Sequence, residues 1–139
     1  MDGVNQLTDV IQVCTDGSQL SEKGVDTAVE LAQSLNLPLL GMTGVPGAPV
    51  AGGLEKEDPK TQERLKYIRD AAEAAGIKYE LVAEHCQAPW QGILAVAKRY
   101  DARFIVMASR GLGSLGSLIL GSETQKVLAA ADRPVLVIR

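Results

Sequence analysis

Residues 111–122 read GLGSLGSLILGS, so four of the chain's 14 glycines fall directly between an apolar run and a helical pattern. Glycine accepts positive φ, and a run of glycines lets successive backbone N–H groups turn toward one point and cradle an anion, usually phosphate. The helix beginning at Gly121-Ser122 adds unbonded N–H groups and the positive end of its dipole. Ser114, Ser117 and Ser122 offer hydroxyls, and Arg110 offers a charge at the loop's entry, a set suited to a triphosphate. A ligand-free reading uses the same residues. Ser122-Glu123-Thr124-Gln125 has the S-x-x-Q form of a capping box, with Ser122 as N-cap, and glycines also simply make loops. No lysine follows in the GxxxxGK[ST] manner, and the loop comes after the fourth strand rather than the first. The P-loop and the Rossmann fingerprint are therefore excluded.

Other chemistry has few carriers. Cys14 and Cys86 are too few for a disulfide framework and are not spaced as a zinc site. Cys14 falls in an apolar strand pattern and reads as a small buried hydrophobe. His85 is the single histidine, so it alone could centre a Ser-His-Asp or Cys-His arrangement. It reads as a partly exposed loop residue just after a strand, with no acid beside it. Trp90, in the first turn of a helix, reads as a packing or interface residue.

The elements that must position these residues alternate in type. Thr8–Cys14 forms a first strand, and a helix starts at Ser18 with Val25, Ala28, Ala32 and Leu35 on its inner stripe. Pro38–Val45 is a second strand weakened by glycine, and Pro46–Asp58 is a flexible loop that could act as a lid. Asp58 and Pro59 start a second helix as N-cap and first helical residue; Leu65, Ile68, Ala72 and Ala75 form its stripe and Gly76 ends it. Ile77–Ala83 is a third strand. Pro89 opens a third helix facing inward through Ile93, Val96, Ala97 and Tyr100. Arg103–Ala108 is a nearly all-apolar fourth strand, as a central parallel strand buried on both faces should be. A fourth helix begins at Ser122, and Pro134–Ile138 is the fifth strand.

This alternation predicts a doubly wound, three-layer α/β/α sandwich with a five-stranded, mostly parallel sheet. Ligands on such sheets bind at the carboxyl ends of strands where the strand order reverses. In the order 3-2-1-4-5, strands one and four are neighbours, and Asp16-Gly17-Ser18 faces the glycine loop across one crevice. A phosphoacceptor receiver domain shares the alternation but needs an acid ending strand three and a lysine ending strand five. Ala83-Glu84 and Ile138-Arg139 do not supply them.

Bulk properties narrow the classes further. The 139 residues suit one domain, 1–139, large enough to bury a core without disulfides or metals. Uncharged apolar stretches fall well short of the roughly 18 residues that span a membrane. The opening MDGVNQLTDVIQV carries no basic residue, so a cytoplasmic setting is expected. With 14 basic against 17 acidic residues and a net charge of −3, no positive field for nucleic acid is expected.

VCTDGS after the first strand, together with IVMASRGLGSLGSLILGSETQKVLAAADRPVLVIR at the end, resembles the universal stress protein family. That family's hallmark is G-x2-G-x9-G-[ST] between the fourth strand and the last helix. Gly111, Gly121 and Ser122 match its later positions in register, while Ala108 stands in place of the first glycine. The resemblance covers the whole chain in element order and implies an adenine nucleotide alpha hydrolase-like fold. It also implies an ATP-binding stress or signalling module, with ADP or AMP as alternatives, in which Mg²⁺ accompanies the phosphates and turnover is slow at most. By position, Asp16 would contact the nucleoside, and Thr15 and Gly44 would line the adenine pocket. Met107, Ala108, Arg110, Gly111, Gly121 and Ser122 would surround ribose and phosphates. Glu123, an acid, fits beside phosphates only if it turns away or helps to hold Mg²⁺. The resemblance further suggests a homodimer through strand 134–138, an apolar edge open to pairing with a second copy. A nucleotide-free interaction protein of the same fold is the alternative.

Overall fold

The computed structural model describes residues 6–111 and 120–139. Strands β1 (Ile11–Cys14), β2 (Leu39–Val45), β3 (Tyr79–His85), β4 (Phe104–Ala108) and β5 (Val135–Ile138) form one sheet in the order β3-β2-β1-β4-β5. Helices α1 (Gln19–Leu35), α2 (Pro59–Ala75), α3 (Pro89–Arg99) and α4 (Ser122–Ala130) connect successive strands. All four strand pairings are parallel, with Ile11 opposite Leu39 on one side and opposite Phe104 on the other.

Side chains alternate between the faces of a strand, so consecutive apolar residues must be buried from both sides. Ile11, Val13 and Leu39 pack beneath α1 and α2 with Val25, Ala28, Leu65, Ile68 and Ala72. Val10, Leu40, Met42, Ile105 and Met107 meet Ile93, Val96, Ala97 and Tyr100 of α3 and Val127 of α4. Gln12 is fully buried on that second face, and its amide nitrogen donates to the Ile93 carbonyl at 3.0 Å. The glycine that weakens β2 has a packing reason. A Cβ on Gly41 would stand 2.5 Å from Ile68 Cγ2, so its absence lets α2 settle on the sheet.

Local signals define the helix ends. Ser18 caps α1 by accepting from the Ser21 N–H at 3.2 Å, and Asn36 closes it in the left-handed region at φ 54°. Asp58 caps α2 by accepting from the Thr61 N–H at 2.9 Å, Pro59 takes the first helical position, and Gly76 terminates it at φ 69°.

Several boundaries differ from the sequence reading. β1 starts at Ile11 rather than Thr8 because Asp9 adopts φ 56°, which interrupts extended backbone. β3 runs from Tyr79 to His85 rather than from Ile77 to Ala83, because the Ile77 N–H still serves the end of α2, donating to Ala72 O at 3.2 Å. Leu35 is 42% exposed, so the buried stripe of α1 ends before the last turn. The 46–58 loop contains a short 3₁₀ turn at Leu54–Lys56, followed by buried Glu57. Among the described residues no helix is long and apolar enough to cross a membrane.

Candidate functional site

β1 and β4 lie side by side, and the chain leaves them toward opposite faces of the sheet, into α1 and into α4. This opens a crevice at their carboxyl ends. The turn after β1 is braced internally. Thr15 N–H donates to Met42 O at 3.0 Å, and Thr43 Oγ1 donates to Thr15 O at 2.7 Å. Thr15 Oγ1 pairs with Ser21 Oγ at 3.0 Å and accepts from the Gly17 N–H at 3.1 Å. Asp16 Oδ1 accepts from the Ser18 N–H at 3.0 Å, which fixes the carboxylate over the turn.

Across the crevice, the end of β4 is joined to the start of α4. Gly121 N–H donates to Ser109 O at 2.7 Å, and Thr124 Oγ1 donates to Ala108 O at 2.9 Å. Thr15, Asp16, Gly44, Met107, Ala108, Arg110, Gly111, Gly121, Ser122 and Glu123 all line one cleft of about 420 Å³. Ser114 and Ser117 lie outside the described residues.

Three expectations about these residues are corrected. First, Gly111 and Gly121 are not left-handed; Gly121 has φ −62°. Glycine is required there by close approach, since a Cβ on Gly111 would collide with Asp16 Oδ2 and one on Gly121 would lie 3.3 Å from Arg110 Cα. Second, the capping box does not form. Gly121 is the N-cap, no side chain caps the helix, and Ser122 is its first residue, exposed at the cleft rim. Third, His85 is not an exposed loop residue without an acid. It ends β3, its Nε2 lies 2.9 Å from Glu57 Oε2, and the two side chains are only 7% and 6% exposed. Ala108 closes β4 outside the left-handed region, so its methyl brings no backbone strain.

Glu123 turns toward α3. Its Oε1 accepts from the Trp90 N–H at 2.9 Å and so caps a helix whose own N-cap, Ala88, has no acceptor side chain. Burial pushes the Cys14 thiol up to about 12, so this cleft-lining sulfur is protonated and unreactive near neutral pH. Sequence reasoning missed Arg64, Thr43, Ser21 and Thr124, which also line the cleft. Arg64 adjoins Leu65 at the border of α2's apolar stripe, a position that marks a half-buried cation but not what it faces.

The family model described as the universal stress protein family matches residues 8–139. A universal stress protein of Thermus aquaticus, named for its place in the QAH/OAS sulfhydrylase 3' region, is 35% identical over 93% of this chain and 97% of its own length. Among solved structures, one of a universal stress protein from Archaeoglobus fulgidus in complex with dAMP superposes with a TM-score of 0.76 at 21% identity, covering 96% of this chain and 100% of that one. A universal stress protein in complex with cAMP gives a TM-score of 0.74 at 23% identity, covering 94% and 97%.

Proposed function

The chain belongs to the universal stress protein family, and from that premise we propose that it binds an adenine nucleotide, ATP with Mg²⁺, in the cleft across β1 and β4. The observation that carries this reading is the contact between Gly111 and Asp16. Backbone from the β4 side approaches the carboxylate of the β1 turn so closely that a side chain on Gly111 would displace Asp16 from its present position. A loop that needs only to turn has no use for such an approach, whereas a ligand spanning both strand ends does. The volume falls within the roughly 300–1,000 Å³ of small-molecule sites. Apolar Met42, Ile93 and Met107 lie on the side of Gly44 and suit a base, while Arg110 and the start of α4 suit phosphates. The dAMP and cAMP complexes of structural neighbours support an adenine nucleotide as the ligand class, with ADP and AMP as alternatives to ATP.

Among the described residues no cluster of three or more His, Cys, Asp and Glu side chains is placed to hold a metal ion. Mg²⁺ would be held through one or two carboxylates plus substrate phosphates while keeping several waters. Asp16 is the carboxylate placed for it, because Glu123 is turned onto α3. When bound, the ion would neutralise phosphate charge. Calorimetric titration of the nucleotide-stripped protein with ATP and Mg²⁺ is expected to show saturable micromolar binding. Absence of heat, together with failure to displace a fluorescent ATP analogue, would leave a nucleotide-free interaction protein.

The proposal includes a homodimer through strand 134–138. Among the described residues β5 is an edge strand hydrogen-bonded to β4, with Leu136 39% and Leu128 of α4 43% exposed. Unpaired strand groups beside apolar side chains favour a second copy. Sedimentation equilibrium at micromolar concentration is expected to give twice the chain mass; a single-chain mass would reject the dimer.

A further inference from the structure

We propose that Arg64, carried by α2, is a second phosphate-binding cation of this cleft, reaching it from the α1–α2 side of the sheet while Arg110 reaches it from β4. The inference rests on the nucleotide reading above and extends it to a residue outside the glycine loop and the β1 turn.

Four other arginines within the fold are paired, while Arg139 ends the chain. Arg69 meets Asp70, Arg99 meets Glu84, Arg103 meets Asp9, and Arg133 meets Asp132 and Asp101. Arg64 and Arg110 both line the cleft, and neither makes a hydrogen bond or ion pair with any described residue. Of the cleft's two acids, Asp16 accepts from the Ser18 N–H, and Glu123 accepts from the Trp90 N–H and lies 3.8 Å from Lys126 Nζ. The formal charges lining the cleft balance, yet no described acid stands within ion-pair distance of either cation, and Arg64 acts on the exposed Asp58 carboxylate only through its field. Residues 112–119 add no ionisable side chain.

The Arg64 side chain is given its place by Gly17, which holds φ +87° in the β1–α1 turn. A Cβ there would stand 3.0 Å from Arg64 Nε, so the guanidinium lies directly over the turn that carries Asp16. The helix bearing it starts from two fixed points, the Asp58 cap and the buried Glu57–His85 pair. A planar cation with its donors unengaged, half-buried at the edge of a cleft, matches the geometry of phosphate oxygens.

The test is calorimetric titration of wild type, Arg64→Gln and Arg64→Lys with ATP-Mg²⁺, adenosine and inorganic tripolyphosphate. In Arg64→Gln, affinity for ATP and tripolyphosphate is expected to fall at least about tenfold, with adenosine unchanged. Arg64→Lys, which keeps the charge, should recover most of that loss. Unchanged ATP affinity in Arg64→Gln overturns the proposal, as does an equal loss for adenosine and ATP, which would mean a structural or base-side role. If wild type binds tripolyphosphate as tightly as ATP and Arg64→Gln loses both, the cation role stands and the adenine reading fails. If wild type binds neither, both fall.

Discussion

Replacing His85 with alanine is expected to destabilise the fold by about 2 kcal/mol, within the range for leaving a buried hydrogen-bonding group without its partner. Both Glu57 oxygens lie within hydrogen-bond distance of His85 Nε2, at 3.1 and 2.9 Å, in a pocket that admits almost no water. With the imidazole gone, the buried Glu57 side chain loses its hydrogen-bond partner. The strain falls on the 3₁₀ turn at Leu54–Lys56 and on the start of α2. Urea unfolding measures the change. Glu57→Gln, which keeps a polar group of the same shape, should cost less, and the His85→Leu/Glu57→Leu pair should recover much of the loss. A His85→Ala variant within 0.5 kcal/mol of wild type, roughly the scale of a surface substitution, would show that the pair does not anchor the loop.

Replacing Gly111 with valine is expected to weaken ATP about a hundredfold, close to 3 kcal/mol, with little loss of stability. The new side chain would crowd Asp16 Oδ2, so the carboxylate must turn away from its present position or the 109–111 backbone must withdraw from the cleft. Either movement removes a group that the nucleotide reading places against the ligand, and hydrogen bonds to charged groups contribute roughly 1.5–3 kcal/mol each. The fold itself should tolerate the change because Gly111 lies beyond β4, outside the packed layers. Titration separates the cases: wild-type ATP affinity in Gly111→Val would place any nucleotide elsewhere, and a large drop in melting temperature would make Gly111 a structural glycine.

The sequence alone determined the alternation of strands and helices, the Asp58-Pro59 start and Gly76 end of α2, and the glycine motif by which it resembles the family, and that resemblance carried the strand order. Each of these is written in short-range signals: a periodicity, a cap, a glycine spacing. The ten candidate residues came from the family resemblance, position by position, and the order 3-2-1-4-5 brings them to one cleft. What only the tertiary structure decided are pairings between distant positions. Glu57 and His85 are 28 residues apart and meet because the β2–α2 loop folds back over the end of β3. Glu123 and Trp90 are 33 apart and meet because α3 and α4 share one face of the sheet. Gly111 and Gly121 were recognised as necessary, but the reason is an approach between chain segments rather than a local torsion. Arg64 reads in sequence as a cation at the border of a helix's apolar stripe, with nothing to say what it faces. That it borders the cleft depends on the packing of α2 against the sheet and on the missing side chain of Gly17. Local signals fix the elements because their partners lie within a few residues; contacts at the site form only after the sheet order has brought remote strand ends together.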